Sequence, residues 1–365
     1  MELYLLDEHA RRIAILPEYE SLSWRSSLVG TGADVKLPRD LFAEVVDAVY
    51  LERSDSDTIL FINKKSVADY SDSKGCFLSA VDPVELYRRR VLFRTRYFTN
   101  VVRSEVIRDL SVAAIANLSL MPAQDRSLPL FSPLVIERAG THLNATLTQQ
   151  MSWGSVFERI ESVLEELPIR FFSRHIYDRN TDSSRIEPTL YEGRDLTSDV
   201  VLSTAYGDLS NVEYNLESQD RKNTAIIAGQ GEGLARIVAS AQIATDSSYG
   251  ELWVDANDIG EESGIEGSPP LTPAQQRERL QARGAEKLHE EPCERALSAS
   301  VEQARFRYGQ DYRVADRVSF EVFGVRHEDI ISEVEEVFEG THSHINITIG
   351  TKYPTIRQIV DRSRL

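Results

Sequence analysis

The sequence predicts a β-rich α+β protein, with a strand-forming unit at each end of the chain and helices concentrated between them. Three observations carry this. Apolar and polar residues alternate with period two from Leu3 to Val81, helical stripes run from Val102 to Leu118 and from Ser155 to Leu167, and alternation returns from Arg295 onward.

In chain order, Leu3–Leu6 and Arg12–Leu16 read as two short strands turned by Asp7-Glu8-His9. Leu22, Trp24, Ser26 and Leu28 share one face of the next strand, and after Gly30-Thr31-Gly32 its partner ends at Pro38. Leu41, Phe42, Val45 and Val46 have the spacing of a brief helix. Val49–Arg53 and Thr58–Asn63 form a hairpin about Ser54–Asp57, and a second hairpin about Asp72-Ser73-Lys74-Gly75 completes a compact antiparallel barrel or sandwich. Asp82-Pro83-Val84-Glu85 is a capping box with proline at the first helical position. The short helix it opens ends in Arg88-Arg89-Arg90, either a solvated helix end or a contact for an acidic partner.

Val106, Ile107, Leu110, Ala113, Ala114, Ile115 and Leu118 then stripe a longer helix, and the change of period marks a domain boundary near Asn100. A polar connector from Pro122 to Pro133 leads to the strand LVIERAG. Ser155 and Glu158 cap a third helix that buries Val156, Ile160, Val163, Leu164 and Leu167 before Pro168. The strands IRFFSRHIYD and RIEPTLYEG follow. Glu261–Pro273 is an acidic, Gly/Ser/Pro-rich loop, and Thr272-Pro273-Ala274-Gln275 opens a charged helix to about Glu290 whose large apolar residues are few beyond Leu280 and Leu288. The tail returns to strands in ALSASVEQARF, RVSFEVFG and INITIG, with turns at Gly309 and Gly340. These features divide the chain into 1–99, 100–182, 183–260, 261–290 and 291–365: a first barrel-like unit, an α/β insertion, a β-rich central part, the acidic loop with its helix, and a last strand-rich unit.

The stretch Asp199–Thr245 carries the one motif that invites a ligand. Ala225, Ile226, Ile227 and Ala228 empty into Gly229, Gly231 and Gly233. A dinucleotide loop needs G-x-G-x-x-G before a helix. Here the third glycine comes one place early, Leu234 stands where it belongs, and Glu232 would aim a carboxylate at the phosphates. The residues that follow alternate in strand period as well as they fit a helix. The pattern favours a glycine-hinged turn between strands where backbones approach closely, and no cofactor is expected.

Composition narrows the function classes. The 365 residues hold 41 Lys and Arg against 58 Asp and Glu, a net charge of −17, which argues against sequence-independent binding to nucleic acid. Cys76 and Cys293 are too few and too far apart for a disulfide framework or a zinc site. No basic leader precedes an apolar core and no apolar run is long enough to span a bilayer, so a soluble cytoplasmic product is expected. His342 and His344 have the one metal-like spacing, without a third ligand nearby, and no metal is expected. Nucleophile elbows, H-E-x-x-H pairs and P-loops are absent. Acid pairs such as Glu165-Glu166 and Glu335-Glu336 read as solvated faces, and no catalytic residue is expected.

The order of several segments resembles the siphophage minor tail proteins that form the baseplate or tail-tip hub, of the kind found in phages of actinobacteria. The matching pieces are SLSWRSSLVGTGADVKLP, VDPVELYRRRVL, Asp178-Arg179, LSTAYGDLSNVEYN, NTAIIAGQGEGLAR, Arg283-Gly284, YRVADRVSFEVFG and HEDIISEVEEVFE, together spanning most of the chain. Asn180 stands where Thr is expected, and Ala315 where Gly is expected. The resemblance implies two antiparallel β-barrel-like hub domains with smaller α/β insertions. It also implies a homotrimer joining a distal tail or tail tube protein to the tip, beside the tape-measure protein and other tail-tip proteins, with DNA only in transit. The chain would then be a virion component assembled in the host cytoplasm. In that setting Asp178, Arg179, Asn223, Gly229, Gly231, Gly233 and Arg236 are framework residues. The runner-up is a cell-envelope hydrolase or glycan-binding tail protein.

Overall fold

The structure is a computed structural model that describes all residues except 71–72, 93–94, 117–126, 152, 166, 179, 218–221, 234–235, 243–249, 262–268, 290–293, 341 and 352–365. It divides into two compact units, one from Met1–Glu213 with Leu297–Gly350 and the other from Tyr214–Ala296.

The larger unit begins with the expected alternation. β1 (Leu3–Leu6), β2 (Arg12–Leu16), β3 (Ser21–Ser27) and β4 (Thr31–Leu37) are antiparallel strands, and Leu22, Trp24 and Ser26 are buried on one face of β3. A 3-10 turn at Arg39–Leu41 and the one-turn α1 (Phe42–Val45) bury Leu41 and Val45. The two expected hairpins share a strand: β5 (Tyr50–Arg53) and β7 (Ser73–Val81) pair on either side of β6 (Ile59–Tyr70), whose register shifts between Ile62 and Lys64. Tyr70 pairs with Ser73, so Gly75 lies in β7 rather than in the turn.

Asp82 caps the next helix through Val84 N–H, but Pro83–Arg89 winds as a 3-10 helix. Glu85 pairs with Arg88 instead of closing a capping box. Then come β8 (Arg96–Val102), α2 (Arg103–Ile115), β9 (Val135–Arg138), α3 (Thr141–Asn144), β10 (Thr146–Met151), α4 (Val156–Leu164), β11 (Ile169–Asp178) and β12 (Ser183–Glu192). Val84, Tyr87, Val106, Ile107, Phe157 and Ile160 interlock in the core of this region. β11 and β12 pair at every position from Ile169↔Glu192 to Asp178↔Ser183, so the division drawn at residue 182 falls within a hairpin turn.

The chain then forms β13 (Val201–Ser203) and β14 (Leu209–Glu217), crosses the smaller unit through β15 (Thr224–Ala228), β16 (Val238–Gln242), β17 (Glu251–Asp255) and α5 (Pro273–His289), and returns as β18 (Glu294–Val301), β19 (Arg317–Val322), β20 (Val325–Glu339) and β21 (His342–Thr351). A 13-stranded sheet runs β14-β18-β21-β20-β3-β4-β7-β6-β5-β1-β2, with β19 on β20 and β13 on β19. The strands from the two ends of the chain are thus one sheet. β20 makes this possible: its first half pairs with β19, and its second half lies between β21 and β3. The path ends at β14 and β2 without a hydrogen-bonded closure among the described residues. It curls nevertheless, since Leu3, Leu5 and Leu16 share a core with Leu22, Trp24 and Val35.

In the smaller unit β15 lies between antiparallel β16 and parallel β17, with α5 packed against the sheet. The Thr272 capping box forms reciprocally, Gln275 N–H donating to Thr272 Oγ1 at 3.4 Å and Thr272 N–H to Gln275 Oε1 at 3.0 Å. A Cβ on Gly284 would stand 2.3 Å from Ile227 Cδ1, which fixes how closely α5 approaches the sheet. Gly284→Val is therefore expected to destabilise this unit by about 1–3 kcal/mol through overpacking. Thr272→Ala should cost about 1 kcal/mol through the lost cap. Thermal unfolding of both variants measures the difference.

Candidate functional site

The glycine stretch lies at the end of β15. Gly229 N–H donates to Ile237 O at 2.9 Å and Gln230 N–H to Ile259 O at 2.8 Å, so these amides are spent on main-chain carbonyls. A Cβ on Gly229 would meet Ile259 O at 2.9 Å, and Gly231 and Gly233 have φ of +118° and +57°. Arg236 folds back over the turn, donating to Gly229 O at 2.5 Å, Ala228 O at 3.1 Å and Asn257 Oδ1 at 3.0 Å, and pairing with Asp255. The chain continues into β16, a strand. At the other end of β15, buried Asn223 accepts from Gly250 N–H at 3.3 Å and Thr224 Oγ1 at 3.2 Å. Asn223 and Arg236 thus hold the two ends of β15.

Asp178 is in the larger unit, at the tip of the β11–β12 hairpin, where it accepts from Asn180 N–H at 2.9 Å. That bond and the Thr181 hydroxyl hold its carboxyl below the usual range. Arg179 lies outside the described residues. The sequence-predicted set therefore forms two local motifs, a hairpin tip and a glycine stretch.

What sequence reasoning missed is a series of buried carboxylates in the larger unit. Asp316 accepts from Tyr191 Oη at 2.6 Å, Arg194 N–H at 2.8 Å, Arg194 Nη2 at 2.7 Å and Arg313 N–H at 3.0 Å. Burial, then Asp316, pushes the Tyr191 hydroxyl up to about 12. Ala315 before it has φ +79°, which explains why a glycine is expected there, and a Cβ on Gly193 would stand 1.8 Å from Ala315 O. Glu192 caps α3 by accepting from Gly140, His142 and Leu143 N–H at 2.8, 3.0 and 2.9 Å. Nothing in the local sequence marks either acid, because all these partners except Arg313 lie far along the chain.

Glu52, His175 and Ser184 form a chain of side chains with the look of a nucleophilic triad. His175 Nδ1 is 2.8 Å from Glu52 Oε1 and Nε2 is 3.1 Å from Ser184 Oγ. Ser184 Oγ also donates to Ala10 O at 2.9 Å, which ties β12 to the β1–β2 turn. Burial would raise the Glu52 carboxyl, but bonds from His175 and from Arg12 at 2.8 Å outweigh it and hold it below its usual value. The arrangement fastens the β11–β12 hairpin to β5 and the β1–β2 turn.

The acid pair Glu335-Glu336 is not a solvated face. Glu335 accepts from Ser23 Oγ at 2.6 Å, and Glu336 accepts from buried Arg53 at 2.8 Å. Nor is Arg88 turned outward: it pairs with Glu85 and Glu161 and lies 4.2 Å from the Phe157 ring centroid. His342 and His344 are exposed on β21, and no cluster of three metal-ligating groups occurs among the described residues.

Residues 117–351 match the family model described as Siphovirus ReqiPepy6 Gp37-like protein. The chain belongs to this family. It is a phage tail protein of the siphovirus type, with a β-rich α+β fold. Solved structures share that fold. The tail protein from Neisseria meningitidis MC58 is similar at 10% identity over 96% of each chain, with a TM-score of 0.58. The 43 kDa tail protein of prophage MuSo2 from Shewanella oneidensis is similar at 10% identity over 96% of this chain and 98% of its own, with a TM-score of 0.57. Prophage tail protein gp18 from Listeria monocytogenes EGD-e follows at 12% identity over 100% and 98%, with a TM-score of 0.50. No curated protein matches the sequence.

Two tests follow for this tail protein. Gly231→Val should destabilise the smaller unit by about 1–3 kcal/mol, since a β-branched residue is strained at positive φ, whereas Glu232→Gln at an exposed position should leave folding unchanged. Asp82 gives the second. Burial raises its carboxyl to about 7, against hydrogen bonds from Ser173 and Val84 N–H and the charge of Arg170. The folded state therefore holds a proton that the unfolded chain releases above its ordinary carboxylate value. That stabilisation is complete in acid and is lost as pH rises through about 7, by up to about 1.4 kcal/mol per unit. Urea unfolding between mildly acid and neutral pH should show this slope in the native protein and its absence in Asp82→Asn.

Proposed function

We propose that the protein is a subunit of a homotrimeric hub at the distal end of the tail tube, joining the tube or distal tail protein to the tip and lining the channel through which the genome leaves. The observation that carries this reading is the open path of the large sheet, with outer edges at β2 and β14 unpaired among the described residues. Free strand edges recruit partners, and a head-to-tail contact between unlike edges of identical subunits closes into a ring when the rotation permits. The curl of the N-terminal strands over their common core is in keeping with a barrel-like hub domain. The family supplies the setting.

In this hub the tape-measure protein and DNA pass the inner wall. A basic wall would hold DNA by releasing its counterions, so we assign the chain's acidic excess preferentially to the lumen. Imaging of the intact tail should show a three-fold layer of this protein; one or six copies would exclude the hub. Variants placing lysines on the lumen should slow ejection, and unchanged kinetics would exclude an acidic lining as its cause.

A further inference from the structure

Among the described residues the sheet of the smaller unit has α5 on one face and no element on the other. Ala225, Ile227, Ala239 and Val254 turn toward α5 and are buried with Leu280 and Leu288. The alternate residues line the other face, and the register sets them in three rows: Glu251, Thr224 and Gln242; Trp253, Ile226 and Ser240; Asp255, Ala228 and Val238. Trp253 is 60% exposed and Val238 49%, large apolar groups on a sheet face open to solvent.

The chemistry of this face is specific. Along β17, Glu251 and Asp255 flank Trp253 two residues away on either side, roughly 7 Å along the strand. An indole face attracts cations, and a carboxylate beside it completes a site for a guanidinium or ammonium group. The protein already fills one of these two positions itself: the Arg236 guanidinium lies 5.9 Å from the Trp253 ring centroid and pairs with Asp255. Among the described residues the position between Trp253 and Glu251 has no such occupant, and Glu251 is exposed and makes no ion pair with them. Among the described residues β17 is also an edge strand, bonded to β15 and to no other strand.

We propose that this face docks an extended basic segment of a partner protein. The segment's backbone adds to the outer edge of β17, and one of its arginines or lysines sits against Trp253 and Glu251 as Arg236 does against Trp253 and Asp255. The net charge of −17 draws such a partner from a distance and repels an acidic one.

The test uses the full chain and two blocked heptapeptides, one alternating arginine with valine and the other glutamate with valine, titrated by calorimetry. The arginine peptide should bind, more weakly at high salt, and the glutamate peptide should not. Trp253→Ala and Glu251→Gln should each weaken binding about two- to fivefold, and Trp253→Phe by less. Glu8→Gln, an equal loss of charge at an exposed turn of the other unit, should leave it unchanged. Equal binding of both peptides, or unaltered binding by the Trp253 and Glu251 variants with native circular dichroism, overturns the proposal. So does quenching of Trp253 fluorescence by a neutral oligosaccharide when the arginine peptide causes none.

Discussion

The larger unit depends on one antiparallel pairing, β20 against β3, between residues some three hundred positions apart in sequence, from Glu333↔Ser27 to Glu339↔Ser21. Closing a loop that long costs only slightly more entropy than closing one half its length, because the cost grows with the logarithm of length. Register is the harder constraint, since a slip of one residue would turn every buried side chain outward. Arg53 helps fix it. Its guanidinium lies 5.0 Å from the Trp24 ring centroid and 5.5 Å from that of Phe338, and it pairs with Glu336 at 2.8 Å and Asp55 at 3.0 Å. A buried cation with two carboxylates and two ring faces is satisfied in one register; in the next, Glu336 would face away and leave it uncompensated.

Local structure was legible where the sequence period or a cap decided it. β1, β2 and β11 have the bounds their alternation predicts, and the Thr272 box forms with both of its bonds. Asp82 shows the limit. The proline and the cap were readable, but Tyr87 and Val84 are buried beside α2 and α4, and this packing holds the segment as a 3-10 helix. In the glycine stretch the turn into a strand was legible, because the residues after Gly233 alternate and β16 follows. The role of Arg236 was not, because its partners Asp255 and Asn257 come from a strand and turn beyond the next one. Long-range acid–base partners have no local signature, and that is why Glu335-Glu336 looked solvated.

Part of the chain's acidity is therefore internal. Asp208, Asp316, Glu52 and Glu192 are buried, and each is met by cations or several N–H groups: Asp208 by Arg305 at 2.8 Å, Asp316 by Arg194 and two amides. These acids serve the fold, since stripping a partner from any of them would leave a buried charge exposed to a low dielectric.

Among the described residues the large sheet leaves two strand edges unpaired, at β2 and β14. An edge strand is a template for any other strand, and the usual protections are brevity and charge. β2 is only five residues long, and its half-exposed Arg12 is paired with Glu52, while Ile13 and Ile15 stand exposed at 49% and 54%. The edge itself is thus apolar and short, and the protection against promiscuous pairing falls to the like charge of the surrounding surface. Two such chains repel at a distance and gain from contact only when the edges meet in register over the full strand.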